Sequence, residues 1–377
     1  MKVFKTYIAL ITSLLFFMCS CRDSAVDDTL TTSEDDMLEF ELDFVSRADD
    51  EGDNEQDNDD SRKEILENIN DYFKDGESTV LLSQRASNLS PSFDENSPNC
   101  YKYVYFVNDQ ANWDEGFNFK SENPISWTRI NNSGQLDNGW AFGMLFFPRK
   151  LVNQYQIHAD QSDKDNFIAS DILGAWHRTS TFKDRLRFRL NHLMCKVEVN
   201  LYIPLFDEEK NNGYSVDDVK ASVINLITDF SINWSGQSSD VLPPTTASDG
   251  AKQDIAMYKS EVDEQFILEN LSNFGVYQND ELNQDKVKKF SFKVYFPSQP
   301  VSGDLLRFVL ERGDMKYNYI YRIKNEVNIP LGSGYVTQLE LYLPRNDNNV
   351  VLLKAKLKDW NNADASFIIM QDEDEEQ

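Results

Sequence analysis

The sequence predicts an all-β protein built from antiparallel β-sandwich domains. Hydrophobic and polar residues alternate with a period of two along many segments, which is typical of strands that bury one face. Polar loops separate these segments, as in sandwiches. With 377 residues, of which 40% are hydrophobic, the chain is long enough to bury two cores. We therefore expect two sandwich domains, preceded by an export signal and an acidic segment.

The chain begins with an export signal. Lys2 and Lys5 form a positive region, and Tyr7 to Met18 is an apolar run that is short for a membrane span. The following cysteines resemble a bacterial lipobox, in which a lipid is attached to a cysteine that becomes the mature N-terminus. Cys21 is the better acceptor because Ser20 precedes it, whereas Cys19 follows the bulky Met18. We predict lipidation of Cys21, with an ordinary secretory signal as the alternative.

An isolated amphipathic strand follows the signal. Its apolar residues alternate with Glu39, Glu41 and Asp43, so one face is apolar and the other anionic. The next segment, residues 49–60, contains eight acidic residues among twelve and is too charged to fold against a core. The strand therefore needs a partner elsewhere. Its apolar face consists of Leu38, Phe40, Leu42 and Phe44.

A short helix is predicted after the acidic run. Ser61 and Glu64 form a capping box, and Gly76 ends the pattern. Residues 235–250, rich in small polar residues with Pro243 and Pro244, form the best candidate linker. These features predict four segments: a signal peptide (1–20), the N-terminal strand with its acidic linker (21–62), a first sandwich domain (63–240) and a second one (241–377).

Four half-buried strands are predicted near residues 288–297, 316–323, 335–344 and 350–360. A longer run changes phase: Leu186, Phe188 and Leu190 occupy even positions, whereas Val197 and Val199 occupy odd ones. One regular strand cannot do this. Either a bulge or a crossing from one sheet to another would explain the slip near residues 192–195.

Composition and motifs exclude several functions. The net charge of −27 argues against nucleic acid as a partner. The three histidines stand in no metal-binding pattern, and no constellation of catalytic residues is recognised, so we predict neither an enzyme, nor a metal site, nor a cofactor. His192 lies within a strand and is interpreted as structural. Cys100 and Cys195 could form one disulfide, but the sequence does not decide whether they do.

The order of several motifs resembles the fimbrillin (Mfa-like) family of pilus subunits from Bacteroidota. The resemblance covers residues 171–175, the run around His192 to Val197, the glycines and tyrosine at residues 332–335, and the end of a strand at Asp359 and Trp360. The lipobox and the segment Val45 to Ala48 add to it. Residues 49–100 depart from the family pattern, and Cys195 stands where the family usually has Ala or Ser.

The resemblance implies two transthyretin-like domains, export to the outer membrane surface as a lipoprotein, and assembly with other fimbrial subunits by strand exchange. An Arg-specific protease would cut between Arg47 and Ala48, remove the N-terminal strand and open a groove for a neighbour's strand. The outer membrane, through the lipid on Cys21, and a ligand on a host or bacterial surface are further partners that the family implies.

Three functions remain open at this point. The C-terminal segment offers one final strand and an acidic tail, which favours a tip, accessory or anchor subunit over a shaft subunit. A membrane-retained anchor would instead keep the N-terminal strand permanently. A monomeric lipoprotein that binds glycans would present a row of exposed aromatic residues, whereas a pilus subunit would bury them.

Overall fold

Strands make up nearly all of the regular structure described in the computed structural model. Among the described residues there are twenty strands and one short helix, so the predicted all-β class is confirmed. The structure describes residues 38, 40–44, 78–85, 100–105, 119–120, 126–127, 140–146, 155–179, 186–209, 211–232, 245–271, 284–301, 303–323, 331–345, 349–359 and 366–369.

The first sheet has seven strands in the order β1-β8-β7-β5-β2-β3-β4. Its pairings are antiparallel except for the parallel pair of β1 and β8. The strands are β1 (Phe40–Phe44), β2 (Ser78–Arg85), β3 (Cys100–Tyr105), β4 (Phe119–Lys120), β5 (Trp140–Phe146), β7 (Leu173–Thr179) and β8 (Leu186–His192).

The second sheet has six strands in the order β14-β15-β9-β18-β19-β20. It is mixed, because β18 pairs in parallel with β9 and antiparallel with β19. Its strands are β9 (Cys195–Pro204), β14 (Tyr258–Glu269), β15 (Gln284–Phe296), β18 (Tyr335–Tyr342), β19 (Val351–Asp359) and β20 (Ser366–Ile369).

Two smaller sheets complete the described part of the chain. A four-stranded antiparallel sheet has the order β13-β10-β16-β17, and a three-stranded one has the order β12-β11-β6. Their strands are β6 (Tyr155–Gln156), β10 (Asp218–Ile227), β11 (Asp229–Ile232), β12 (Thr245–Ala247), β13 (Lys252–Ala256), β16 (Gly303–Arg312) and β17 (Met315–Ile323).

The six-stranded and four-stranded sheets pack face to face around one core. Alternate residues of β9, β15 and β18 point into it and meet alternate residues of β10, β16 and β17. The rings of Phe292 and Phe308, one from each sheet, have centroids 6.3 Å apart. This pair of sheets is therefore a β-sandwich. Buried members include Val197, Val199, Leu201, Phe290, Leu339, Leu341, Val219, Leu310 and Tyr321.

The opposite face of the six-stranded sheet is covered at both ends. Helix α1 (Lys164–Ala169) begins at Asp163, whose carboxylate accepts hydrogen bonds from two backbone N–H groups of the first turn. Its Phe167 stacks between Tyr258 and Tyr295, at 5.0 and 4.5 Å between centroids. A second buried cluster, which includes Tyr202, Leu268, Leu271, Val287, Tyr342 and Leu353, covers the other end.

The four C-terminal strands predicted from the sequence are confirmed as β15, β17, β18 and β19. The phase change is explained by the second of the two alternatives: β8 ends at His192 in the seven-stranded sheet, and β9 begins at Cys195 in the six-stranded one. Helix α1 was not predicted. The helix predicted at residues 61–76 lies outside the described residues.

The division of the chain into four segments stays a prediction, and the strand pairing bears on its last boundary. β9 and β10 precede residue 240, yet they pair with β15, β18, β13 and β16 beyond it. Part of the predicted linker also forms a strand, since Thr245–Ala247 is β12. Strand pairing therefore crosses the predicted boundary at residue 240.

Candidate strand-exchange site

The N-terminal strand lies at the end of the seven-stranded sheet. β1 follows Leu38, whose side chain is only 5% exposed, and β8 is its neighbour in the strand order. In the part of the chain that the structure describes, no strand pairs with the other side of β1. The predicted amphipathic strand therefore has a partner, and its position is peripheral.

The register between β1 and β8 matches residues of complementary chemistry. Phe40 lies opposite Leu186, and the apolar positions continue in step along both strands. Between them, Glu41 lies opposite Arg187 and Asp43 opposite Arg189. Directly opposed residues of adjacent strands share a face, so acidic positions of β1 meet basic positions of β8. A one-residue slip would move every apolar position to the wrong face.

The sequence carried a signal for this partner that we did not use. β8 was predicted as a strand from its even-numbered apolar residues, but not as the partner of β1. Arg185, Arg187 and Arg189 alternate with those apolar residues just as the acidic residues alternate in β1. Complementary alternation in two distant segments is the pattern that would have indicated the pair.

The C-terminal end of β8 is fixed in place. The His192 ring nitrogen Nδ1 lies 2.9 Å from both carboxylate oxygens of the buried Asp171. The backbone N–H of Leu193 donates to the carbonyl of Ile172 at 2.8 Å. A Cβ on Gly174 of β7 would lie 2.7 Å from Leu193 Cδ1, so glycine permits this close approach. His192 thus has the structural setting that we predicted. These contacts hold the C-terminal end of β8, the strand with which β1 pairs.

The other predicted site residues divide into two groups. Cys21, Arg47 and Ala48 lie outside the described residues. Phe40, Leu42 and Phe44 belong to β1, and Leu38 directly precedes it. Cys195 is a free and fully buried thiol, and burial raises its pKa.

The described contacts of β1 and β8 are those of strand pairing. Among the described residues there is no group of three or more His, Cys, Asp or Glu side chains that could hold a metal ion. Within the same residues, no helix is long and apolar enough to cross a membrane. Without β1, β8 would be a sheet edge that offers backbone N–H and C=O groups and alternating apolar and arginine positions.

Three aromatic residues are exposed among those whose exposure the structure describes. They are Phe206, Tyr317 and Tyr335. Phe206 follows the end of β9, whereas Tyr335 begins the parallel strand β18, so they lie at opposite ends of the sheet. Tyr317 belongs to a different sheet. These three residues therefore do not form the row expected of a glycan platform.

No model of a known protein family matches the sequence, and no curated protein matches it. Solved structures with a similar chain path do exist. A candidate cell adhesion protein from Bacteroides ovatus has 10% identity over 86% of this chain and 97% of its own, with a TM-score of 0.45.

Two further structures have fimbrial names. A fimbrial protein from Bacteroides ovatus is 12% identical over 82% of this chain and 49% of its own, with a TM-score of 0.35. The fimbrial anchor protein Mfa2 from Porphyromonas gingivalis is 8% identical over 88% of this chain and 99% of its own, also with a TM-score of 0.35. These names belong to the class of proteins that the sequence resembles.

Proposed function

We propose that this chain is a structural or adhesive component of a surface fimbria, exported as a lipoprotein through Cys21 and assembled by strand exchange. β1 completes the chain's own sheet until cleavage between Arg47 and Ala48 releases it, and a neighbouring subunit's strand then takes its place on β8. The observation that carries the proposal is the edge position of β1 together with its charge-matched register on β8.

The energetics of β1 suit a strand that is stable until it is cut. The proposal requires the four apolar side chains to be buried, which would contribute about 1.5 to 3 kcal/mol each, or roughly 6 to 12 kcal/mol before the entropy of ordering the strand. While β1 belongs to the same chain, its effective concentration at β8 is in the millimolar range or above, so it outcompetes a foreign strand. Cleavage removes that advantage.

β8 is suited to receive a second strand. It is held at its C-terminal end by β7 and by the His192–Asp171 pair, neither of which involves β1. Loss of β1 would leave the paired positions of Leu186 to Leu190 open without removing those contacts. An open sheet edge with this apolar and basic alternation accepts an extended strand of matching pattern.

We place the chain as a tip or accessory subunit. The last described strand, β20, is paired with β19 in its own six-stranded sheet rather than extended away from it. A membrane-retained anchor is the second candidate, and the same register favours it, because a charge-matched strand can also be permanent. The two candidates differ in whether β1 can be removed.

Digestion of the folded full-length chain with an Arg-specific protease tests the proposal. We expect a stable core that begins at Ala48, identified by intact mass, and oligomers of that core in size-exclusion chromatography with light scattering. Arg47→Gln is the matched control and should remain uncut at this position and monomeric. A core that stays monomeric, or a protein that resists cleavage at Arg47, contradicts strand exchange and leaves the permanent anchor.

A further inference from the structure

A second strand edge lies at the end of the four-stranded sheet. β17 pairs with β16 on one side, and in the described part of the chain no strand pairs with its other side. Its register with β16 runs without a shift from Tyr321 to Met315, because the one irregularity lies beside Leu306 of β16. β17 therefore has a regular edge over seven of its nine residues, Met315 to Tyr321.

This edge exposes apolar side chains. Met315, Tyr317 and Ile320 are 51%, 44% and 37% exposed, whereas Tyr319 and Tyr321 are buried in the sandwich core. The buried row of Tyr319 and Tyr321 thus continues into the exposed Tyr317 and Met315 at one end of the strand, whereas Ile320 is on the opposite face. Long, regular edges with exposed apolar residues are the ones that pair with further strands.

Another edge of the same sandwich is protected, which shows the contrast. β14 ends the six-stranded sheet, and its pairing with β15 shifts register twice. It also carries four acidic residues, Glu261, Asp263, Glu264 and Glu269. Bulges and charges are the usual devices against edge pairing. β17 has no such shift of its own.

The charge on β17 selects among partners. Lys316 and Arg322 are its charged residues, and residues 315–323 contain no acid, although the whole chain carries −27. Lys316 approaches Glu311 at 3.3 Å and Arg322 contacts Asp304, but both cations are largely exposed to solvent. If two copies paired through β17 with Tyr319 at the centre, Lys316 would face Arg322 of the partner. Like charges in opposition disfavour that pairing.

We propose that β17 accepts an extended strand of another subunit, with apolar residues on one face and acidic residues on the other. β1 has this chemistry, and its partner β8 alternates apolar residues with cations as β17 does. The apolar face of the incoming strand would continue the row of Tyr319 and Tyr321, and its acids would lie beside Lys316 and Arg322. The proposal does not depend on cleavage at Arg47.

Binding of a labelled peptide to the intact full-length chain tests this proposal. The probe is a peptide of residues 36–46, followed by fluorescence anisotropy. The double variant Lys316→Glu, Arg322→Glu should bind the peptide at least about tenfold more weakly, because two attractive cross-strand pairs become repulsive. The matched control, Lys252→Glu with Lys354→Glu, reverses two exposed lysines elsewhere and should bind like the parent chain.

A second peptide and a second variant test whether binding requires the alternating pattern of the peptide and the apolar face of β17. A peptide of the same composition without alternation should not bind, and Tyr317→Lys, at an exposed position of the apolar row, should weaken binding while leaving thermal unfolding unchanged. Unchanged binding by the double variant overturns the proposal, since the peptide would then occupy another edge such as β8. Equal binding of the permuted peptide, or dimers of the chain that β17 variants abolish, overturns it as well.

Discussion

β1 and β18 are both paired in parallel with a neighbouring strand, but they differ in their position in the sheet and in their additional contacts. β18 lies between β9 and β19 in the middle of the six-stranded sheet, whereas β1 has β8 as its described neighbour at the end of another sheet. Leu339 and Leu341 of β18 are fully buried in the sandwich core. The comparison teaches that position and additional contacts, rather than the direction of pairing, decide whether a strand can be released.

β18 is held at both ends by hydrogen bonds outside its ladders. Before it begins, the N–H of Gly334 donates to the carbonyl of Met194 at 2.9 Å. At its end, the Tyr342 hydroxyl donates to Asp285 Oδ2 at 2.9 Å. Asp285 also forms a salt bridge with Arg345, whose Nη2 lies 2.6 Å from Asp285 Oδ1. The same guanidinium donates to the carbonyl of Leu205, at 3.0 Å. These contacts lock the C-terminal end of β18.

The largest expected effect comes from breaking that lock. Asp285→Asn removes the carboxylate partner of Arg345, and the two side chains are only 5% and 10% exposed. A buried cation without its partner costs about 3 to 5 kcal/mol of the free energy of unfolding, which urea denaturation measures. As a control, Glu264→Gln removes an exposed carboxylate beside Lys288 and should cost less than about 1 kcal/mol. Equal losses would mean that β18 is not locked by this pair.

The contact between Gln338 of β18 and Glu198 of β9 belongs to a charged cluster that predicts a pH dependence of the free energy of unfolding. Burial by itself raises the pKa of Glu198 on β9. The Glu198 carboxylate lies 2.6 Å from Lys196 Nζ and 3.8 Å from Lys293 Nζ, and it accepts a hydrogen bond of 2.8 Å from the side-chain amide of Gln338 on β18. These contacts outweigh burial and lower the pKa of Glu198 from 4.5 to about 2. A pKa lowered on folding stabilises the protein above the unfolded value. This contribution, about 3 kcal/mol, is lost as the pH falls from 4.5 towards 2.

Glu198→Gln tests this dependence. The variant should be less stable than the parent at pH 7, and the difference between them should shrink as the pH falls through 4.5 towards 2. Urea unfolding at a series of pH values measures it. Glu261→Gln, which removes an exposed carboxylate near Lys289, is the matched control and should follow the pH profile of the parent chain. A constant difference between Glu198→Gln and the parent would contradict the assignment.

The sequence predicted the fold class and the strands in which alternation is strict. β15 and β18 were predicted because their apolar residues recur with a period of two. The structure buries these residues, among them Phe290, Phe292, Leu339 and Leu341. Local patterns cannot report pairing direction or sheet membership. The parallel neighbours of β1 and β18, and the division of strands among four sheets, therefore came only from the structure.

Polar residues that replace strand contacts were also beyond prediction. Gln161 is fully buried and exchanges two hydrogen bonds with the backbone of Tyr295, at 2.8 and 2.9 Å, as a neighbouring strand would. Gln299 makes the same pair of bonds to Ile227, both at 2.9 Å. Each glutamine contacts a segment more than 70 residues away, and a single sequence holds no local sign of such a partner. The candidate site differed, since the alternation in β1 and β8 was visible in the sequence.

The smallest effect is expected at β1, where charge-reversal substitutions test the register between β1 and β8 directly. Glu41→Lys with Asp43→Lys should weaken pairing with β8, and so should Arg187→Glu with Arg189→Glu, because each places like charges opposite one another. Cross-strand charge pairs are worth about 0.2 to 1 kcal/mol each, so each double variant should speed amide hydrogen exchange in residues 40–44 several-fold. Combining all four substitutions restores opposite charges and should restore slow exchange. Exchange in β18 should remain unchanged throughout, because its locks involve neither strand. If β18 exchanged faster together with β1, the two strands would unfold as one unit, and β1 could not leave by itself.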